Sequence, residues 1–97
     1  MRINEAEDYS ERYVNSVQIR ATLHDFQFLL GRISPDPKTN QPVLTNFETL
    51  FLSPSQAKAL LHILRSNVEA YESEFGSITL PALPRLPAIQ DGGGRNN

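Results

Sequence analysis

A long amphipathic segment between residues 53 and 76 constrains the fold of this chain more than any other feature. Ser53 can cap a helix, Pro54 suits the first helical position, and Gln56 completes an S-x-x-Q capping box. Gly76 is typical of the residue that follows a helix end. The segment therefore predicts one helix of about 22 residues, roughly 33 Å long at ~1.5 Å per residue.

The apolar residues of this helix share one side. At about 100° per residue they form a single stripe: Ala57, Leu60, Leu61, Leu64, Val68, Tyr71 and Phe75. Because such a stripe needs an apolar partner, we expect it to lie on a sheet and to dominate stability. Leu64, at its centre, is then buried, and Leu64→Ala is expected to cost about 2–5 kcal/mol.

Three segments with a two-residue apolar periodicity precede the helix and predict strands. They open near Tyr13 and run to Thr22, from Phe26 to about Ile33, and from Val43 to Leu52. A turn at His24-Asp25 separates the first two, with the Asp25 side chain bonding a nearby backbone N–H. A proline-rich loop over residues 34–42 separates the others. The order predicts an α+β fold, a three-stranded antiparallel sheet (β1-β2-β3) followed by one long helix that covers one face.

The third predicted strand carries large apolar side chains on both faces. We assign Leu44, Leu50 and Leu52, together with Leu29 of the second strand, to the face that the helix does not cover. Left open, that face would be an aggregation-prone apolar patch. We therefore expect a homodimer, formed either sheet to sheet or by pairing of edge strands.

Two further sets of helix residues allow two interpretations each. One set combines small residues with one isoleucine: Ala59, Ile63, Ser66 and Ala70. These are either good helix formers on a solvated face or a close helix-to-helix contact across a dimer. The other set is charged: Lys58, His62, Arg65, Glu69 and Glu72. It is either a solvated face or a surface that meets charges of another chain, because anions near a helix C-terminus oppose the macrodipole.

The C-terminal region repeats Leu-Pro every third residue, the period of a polyproline II helix. The leucines of this repeat are Leu80, Leu83 and Leu86. They could serve a partner with an aromatic-lined groove, pack on the chain's own domain or its mate, or belong to a free tail. We expect them to lie against protein. The predicted organisation is a flexible lead-in at 1–12, a domain at 13–78, and an extended arm with a glycine-rich tail at 79–97.

Several short motifs resemble the prokaryotic domain-of-unknown-function family 3467. They are Tyr13-x-Asn15-Ser16-Val17, Asp25-Phe26, Gly31-Arg32, Ser53-Pro54-x-Gln56-Ala57-Lys58-Ala59-Leu60 and Tyr71-Glu72-x-x-Phe75-Gly76-x-Ile78. The resemblance spans about residues 13–78 and implies the β-β-β-α architecture. The family carries no established activity, so the resemblance implies no catalytic residues. The Leu29-Leu30 pair and the Leu-Pro arm depart from the family pattern.

Composition argues against several functional classes. The chain has no cysteine, and its 9 basic against 11 acidic residues give a net charge of −2, which disfavours a broad phosphate-binding surface. No nucleophile motif, P-loop or metal-ligand spacing is present, so we expect no enzyme and no cofactor, and a cytoplasmic location. We expect a small dimeric protein-interaction module: an adaptor, a chaperone-like accessory or a regulator. The alternative is a nucleic-acid-binding dimeric regulator that uses a basic strip of Arg12, Arg20, Arg32 and Lys38.

Overall fold

The computed structural model describes residues 1–80, and its elements follow the predicted order. They are β1 (Ser16–Ala21), β2 (Phe26–Pro35), β3 (Pro42–Leu52) and α1 (Pro54–Phe75). The three strands form one antiparallel sheet in the order β1-β2-β3. Short connections favour this topology because antiparallel neighbours can be joined by tight turns. The predicted α+β architecture is confirmed.

Thr22 organises the turn between β1 and β2. Its hydroxyl oxygen accepts hydrogen bonds from the backbone N–H groups of His24 at 3.2 Å and Asp25 at 3.1 Å. The same hydroxyl donates a hydrogen bond to Asp25 Oδ1 at 2.9 Å. The Asp25 carboxylate thus bonds a hydroxyl rather than the backbone N–H predicted for it. The turn chemistry was anticipated, but the residue that caps the backbone is Thr22.

The hairpin between β2 and β3 is tighter than predicted. Pro35 pairs with Pro42 at the end of the ladder, so two of the three prolines that were assigned to a loop over 34–42 belong to strands. Asp36 N–H donates to Gln41 C=O at 2.8 Å, and Asn40 adopts φ 59°. Asparagine tolerates this left-handed conformation, which lets the chain reverse within a few residues. Proline is accepted here because it stands at a ladder end.

A β-bulge interrupts the pairing of β2 with β3. Leu30 pairs with Glu48 but Gly31 pairs with Asn46, so Phe47 is an extra residue on β3. At this point the two backbones approach closely: a Cβ on Gly31 would lie 2.6 Å from the Thr45 carbonyl oxygen and 2.5 Å from Asn46 Oδ1. Only glycine fits this approach, which explains why the strand sequence carries it.

The bulge exchanges the faces of β3 along its length, because one extra residue reverses the alternation of side chains. We call the side of the sheet that carries Phe26 and Phe28 the helix face, and the opposite side the outer face. Leu50 pairs with Phe28 and therefore lies on the helix face, whereas Leu44 pairs with Ile33 and lies on the outer face. The predicted grouping of Leu44, Leu50, Leu52 and Leu29 on one uncovered face is wrong: Leu50 and Leu52 lie on the helix face, and Leu44 and Leu29 on the outer face.

Asn15, which directly precedes β1, extends the pairing of β1 with β2 by one residue. Its backbone N–H donates to Gly31 C=O at 3.2 Å. Its side-chain amide then does what a peptide group would do: Oδ1 accepts Ile33 N–H at 2.7 Å, and Nδ2 donates to Ile33 C=O at 3.2 Å. This pair of hydrogen bonds ties the segment before β1 to the central strand.

Asn15→Asp is expected to destabilise the fold by about 1 kcal/mol, since a net hydrogen bond contributes about 0.5–1.5 kcal/mol. The carboxylate keeps the acceptor for Ile33 N–H but places an oxygen against Ile33 C=O, where the amide donated. Urea denaturation would measure the change. Asn40→Asp, which leaves this pairing intact, is the control; equal losses in both variants would contradict the role of the Asn15 amide.

The helix begins and ends as predicted, but it is not buried. Ser53 Oγ accepts Gln56 N–H at 3.2 Å, and Gly76, at φ 99°, donates to Glu72 C=O. No helix residue is buried, and Leu64 is 56% exposed. The expectation that the helix stripe is covered by the sheet is therefore wrong for this single chain. Among residues 1–80, no hydrophobic side chain is buried at all.

Candidate interaction surface

An open apolar groove lies between the helix face of the sheet and the first half of α1. Its volume is about 620 Å³. The sheet wall is formed by Ile19, Phe26 and Phe28, and the helix wall by Pro54, Ala57, Lys58, Leu60, Leu61 and Leu64. α1 begins two residues after Leu52, the last residue of β3. No hydrophobic side chain of either wall is buried, so the two apolar surfaces face each other without closing. We refer to it below as the helix–sheet groove.

The second half of the helix continues the apolar stripe beyond the groove. The rings of Tyr71 and Phe75 contact each other at an interplanar angle of 48° with their centroids 4.9 Å apart, and Phe75 is 72% exposed. After Gly76 the chain turns back, and Ile78 N–H donates to Glu72 Oε2 at 2.8 Å. Ile78 then lines a shallow depression with Val68 and Tyr71. The exposed apolar stripe of α1 therefore extends past the groove, which ends at Leu64, as far as Phe75.

The predicted small-residue set on the helix lies on the surface. Ile63 is 56% exposed, and Ser66 and Ala70 are exposed as well, whereas Ala59 is half-buried. The helix presents all four on a side different from the one that lines the groove. The structure therefore leaves both interpretations of this set open.

The outer face of the sheet is a mixture of polar and apolar groups. Leu29 and Leu44 are half-buried there. Ser16 is 6% exposed, and neither its hydroxyl nor the side-chain amide oxygen of Gln18 has a hydrogen-bond partner within residues 1–80. The outer face therefore carries only Leu29 and Leu44 of the four leucines that were assigned to an uncovered apolar face.

The remaining predicted contact residues belong to the Leu-Pro repeat. Leu80 is 85% exposed, so it does not pack on the described residues of its own chain, and its packing on a mate stays a prediction. Leu83 and Leu86 lie outside the described residues.

The predicted basic strip is not gathered on one surface. Arg20 pairs with Gln27 on the outer face, whereas Arg32 stands at a position of the opposite parity on β2. The Arg12 guanidinium lies 4.0 Å from the centroid of the Phe47 ring, and Arg32 donates to Tyr13 C=O. Arg12 and Arg32 thus connect the N-terminal segment to the sheet, whereas Arg20 donates to Gln27 Oε1.

Sequence reasoning missed the groove and its sheet wall. Ile19, Phe26 and Phe28 follow the two-residue alternation of the predicted strands, but alternation alone cannot distinguish a covered face from an open one. The signal that could have located the bulge was the isolated Gly31 inside a strand pattern.

Within residues 1–80, no group of three or more His, Asp or Glu side chains is placed to hold a metal ion. Within the same residues, no helix has both the length and the apolar character required to cross a bilayer.

Comparison with known proteins gives a family and no characterised relative. No curated protein and no solved structure shows a significant match to the chain. The sequence model of one family, described as "Protein of unknown function (DUF3467)", matches residues 2–80. This range includes every motif on which the resemblance was based and extends it at both ends. The chain belongs to the DUF3467 family.

Proposed function

We propose that this protein is a homodimeric protein-interaction module in which a second copy covers the helix–sheet groove and the helix stripe. The observation that carries the proposal is that no hydrophobic side chain within residues 1–80 is buried in the single chain. Folded domains gain most of their stability from burying such groups, at about 1.5–3 kcal/mol for each large apolar side chain.

The apolar groups left open are concentrated rather than scattered. Leu61 and Leu64 line the groove, Tyr71 and Phe75 continue the same side of the helix, and all four are more than half exposed. Single exposed apolar residues are ordinary, but a contiguous patch marks an interaction site. A second copy is the partner that is always present at the same concentration as the first.

The proposal predicts a dimer at micromolar concentration. Multi-angle light scattering is expected to give about twice the chain mass of 10.9 kDa, because the exposed stripe gains its cover only by association. The sample is diluted in steps, and the far-ultraviolet circular dichroism is followed in parallel. A folded species of 10.9 kDa over the whole range would contradict the proposal.

The role beyond the dimer is that of an adaptor, a chaperone-like accessory or a regulator of another protein. The support is indirect: the described residues gather apolar contact surface, not a constellation of polar groups around a reacting atom. Nucleic acid binding ranks lower because Arg20 and Arg32 stand on opposite sides of the sheet. A mobility-shift titration at low and moderate salt separates the two roles, since phosphate binding weakens steeply with salt.

A further inference from the structure

We infer that the second copy places its helix antiparallel on the helix of the first, so that the charged flank of one helix pairs with the same flank of the other. This inference rests on the proposed dimer and specifies its geometry. The observation behind it is the distribution of charge along α1, which no contact within the described chain explains.

The charges of α1 are segregated along its length. One flank of the apolar stripe, about 60–140° from its centre at ~100° per residue, carries cations in the first half and anions in the second. The cations are Lys58, His62 and Arg65, and the anions are Glu69 and Glu72. The first turn contains no acidic residue and the last turn no basic one. Both ends therefore oppose the helix macrodipole, an arrangement that a single helix does not favour.

An antiparallel copy resolves this arrangement. When two helices are related by a two-fold axis perpendicular to the plane that contains them, each flank lies beside the same flank of its copy, in reverse order. Full overlap of two helices over Pro54–Phe75 places the centre near Leu64 and Arg65. Lys58 of one helix then lies at the level of Glu72 of the other, so opposite charges meet at both ends, while Arg65 lies at the centre beside its own copy.

A parallel copy lacks this complementarity. A two-fold axis parallel to the helices sets the charged flank of one beside the opposite flank of the other, where Ile63, Asn67 and Glu74 lie. Glu69 and Glu72 would then face Glu74, and Lys58 would have no anion beside it. The parallel macrodipoles would also repel each other.

The same geometry fills the helix–sheet groove. With the centre near Leu64 and Arg65, Tyr71 and Phe75 of the second copy lie at the level of Pro54 to Ala59. Those residues include part of the groove's helix wall. The two rings already contact each other in a tilted arrangement, so they can enter a groove of about 620 Å³ as one unit. Aromatic side chains bury more area than most others and are typical interface anchors.

Charge reversal tests the inference. One variant carries Lys58→Glu and Arg65→Glu, the other Glu69→Lys and Glu72→Lys. Each alone places like charges together and is expected to weaken dimerisation about tenfold to hundredfold. An equimolar mixture of the two is expected to form mainly heterodimers, because a basic helix then faces an acidic one. The variant with all four substitutions restores opposite charges and is expected to dimerise like the original chain.

Controls separate pairing from other effects. Glu74→Lys makes the same change of charge on the opposite flank and is expected to leave the dimer unchanged. Because Glu72 also accepts Ile78 N–H, Glu69→Lys is measured alone as well. Circular dichroism establishes that each variant keeps its helix. Measurements at low salt enlarge the differences, since exposed charges are screened at high salt.

The outcomes distinguish the inference from the proposed function. A monomeric original chain overturns both. A dimeric original chain whose two charge-reversed variants dimerise as well as it does, and mix without preference, overturns the antiparallel helix pairing and leaves the dimer. Preferential heterodimers that form in the mixture support both.

Discussion

Gly31→Ala is expected to destabilise the fold by about 3 kcal/mol, at the upper end of the cost of forcing extra atoms into a packed site. The added methyl would lie 2.6 Å from the Thr45 carbonyl oxygen. Since that oxygen is backbone, β3 itself must move, and the bulge and the face exchange that depends on it would be disturbed. Chemical denaturation monitored by circular dichroism measures the loss.

Two variants show whether the backbone contact is responsible. Ser34→Ala adds no atoms at an exposed position of the same strand and is expected to change stability by less than about 0.5 kcal/mol. Asn46→Gly removes the side-chain contact at 2.5 Å but leaves the Thr45 oxygen, so it should rescue Gly31→Ala only in part. Full rescue would show that only a side chain obstructs the methyl group.

Leu64→Glu is expected to weaken the dimer at least hundredfold. Leu64 lies in the middle of α1 and lines the helix–sheet groove, where a second helix would bury the introduced carboxylate without a partner. Such burial costs several kcal/mol, and about 1.4 kcal/mol corresponds to a tenfold change in affinity. Sedimentation velocity across a concentration series measures the dissociation constant.

Ile63→Glu is the matched control, because Ile63 and Leu64 are both 56% exposed in the single chain. The two substitutions introduce the same charge at neighbouring positions on different sides of the helix. The antiparallel pairing predicts little change for Ile63→Glu. A loss with Ile63→Glu and none with Leu64→Glu would instead assign the contact to the set of Ala59, Ile63, Ser66 and Ala70.

The elements of this fold could be predicted because their signals are local. The cap at Ser53, the glycine at position 76 and the two-residue alternation of the strands each depend on neighbours in sequence. The helix bounds agree with the prediction. β1 begins at Ser16 rather than near Tyr13, and β2 and β3 extend further into the hairpin, where Pro35 and Pro42 pair.

The faces of the sheet could not be predicted in the same way. Alternation assigns faces correctly only while the pairing register is unbroken, and the extra residue Phe47 breaks it. The position of the helix depends on long-range contacts that a pattern does not contain. An amphipathic stripe indicates that a helix needs an apolar partner, but it does not indicate whether the partner belongs to the same chain. For this reason Leu64 was expected to be buried and is half exposed.

The bulge at Gly31 and Phe47 also determines where the chain can change in length. Deleting Phe47 would remove the bulge and leave the other pairs in register, with Glu48 still opposite Leu30 and Asn46 opposite Gly31. A residue added elsewhere in β3 would instead move the side chains on one side of it to the other face of the sheet. The six residues between the paired prolines, 36–41, lie outside the ladder, so an insertion there shifts no side chain from one side to the other. Family members are therefore expected to vary in length at the hairpin and to gain no residue within β3.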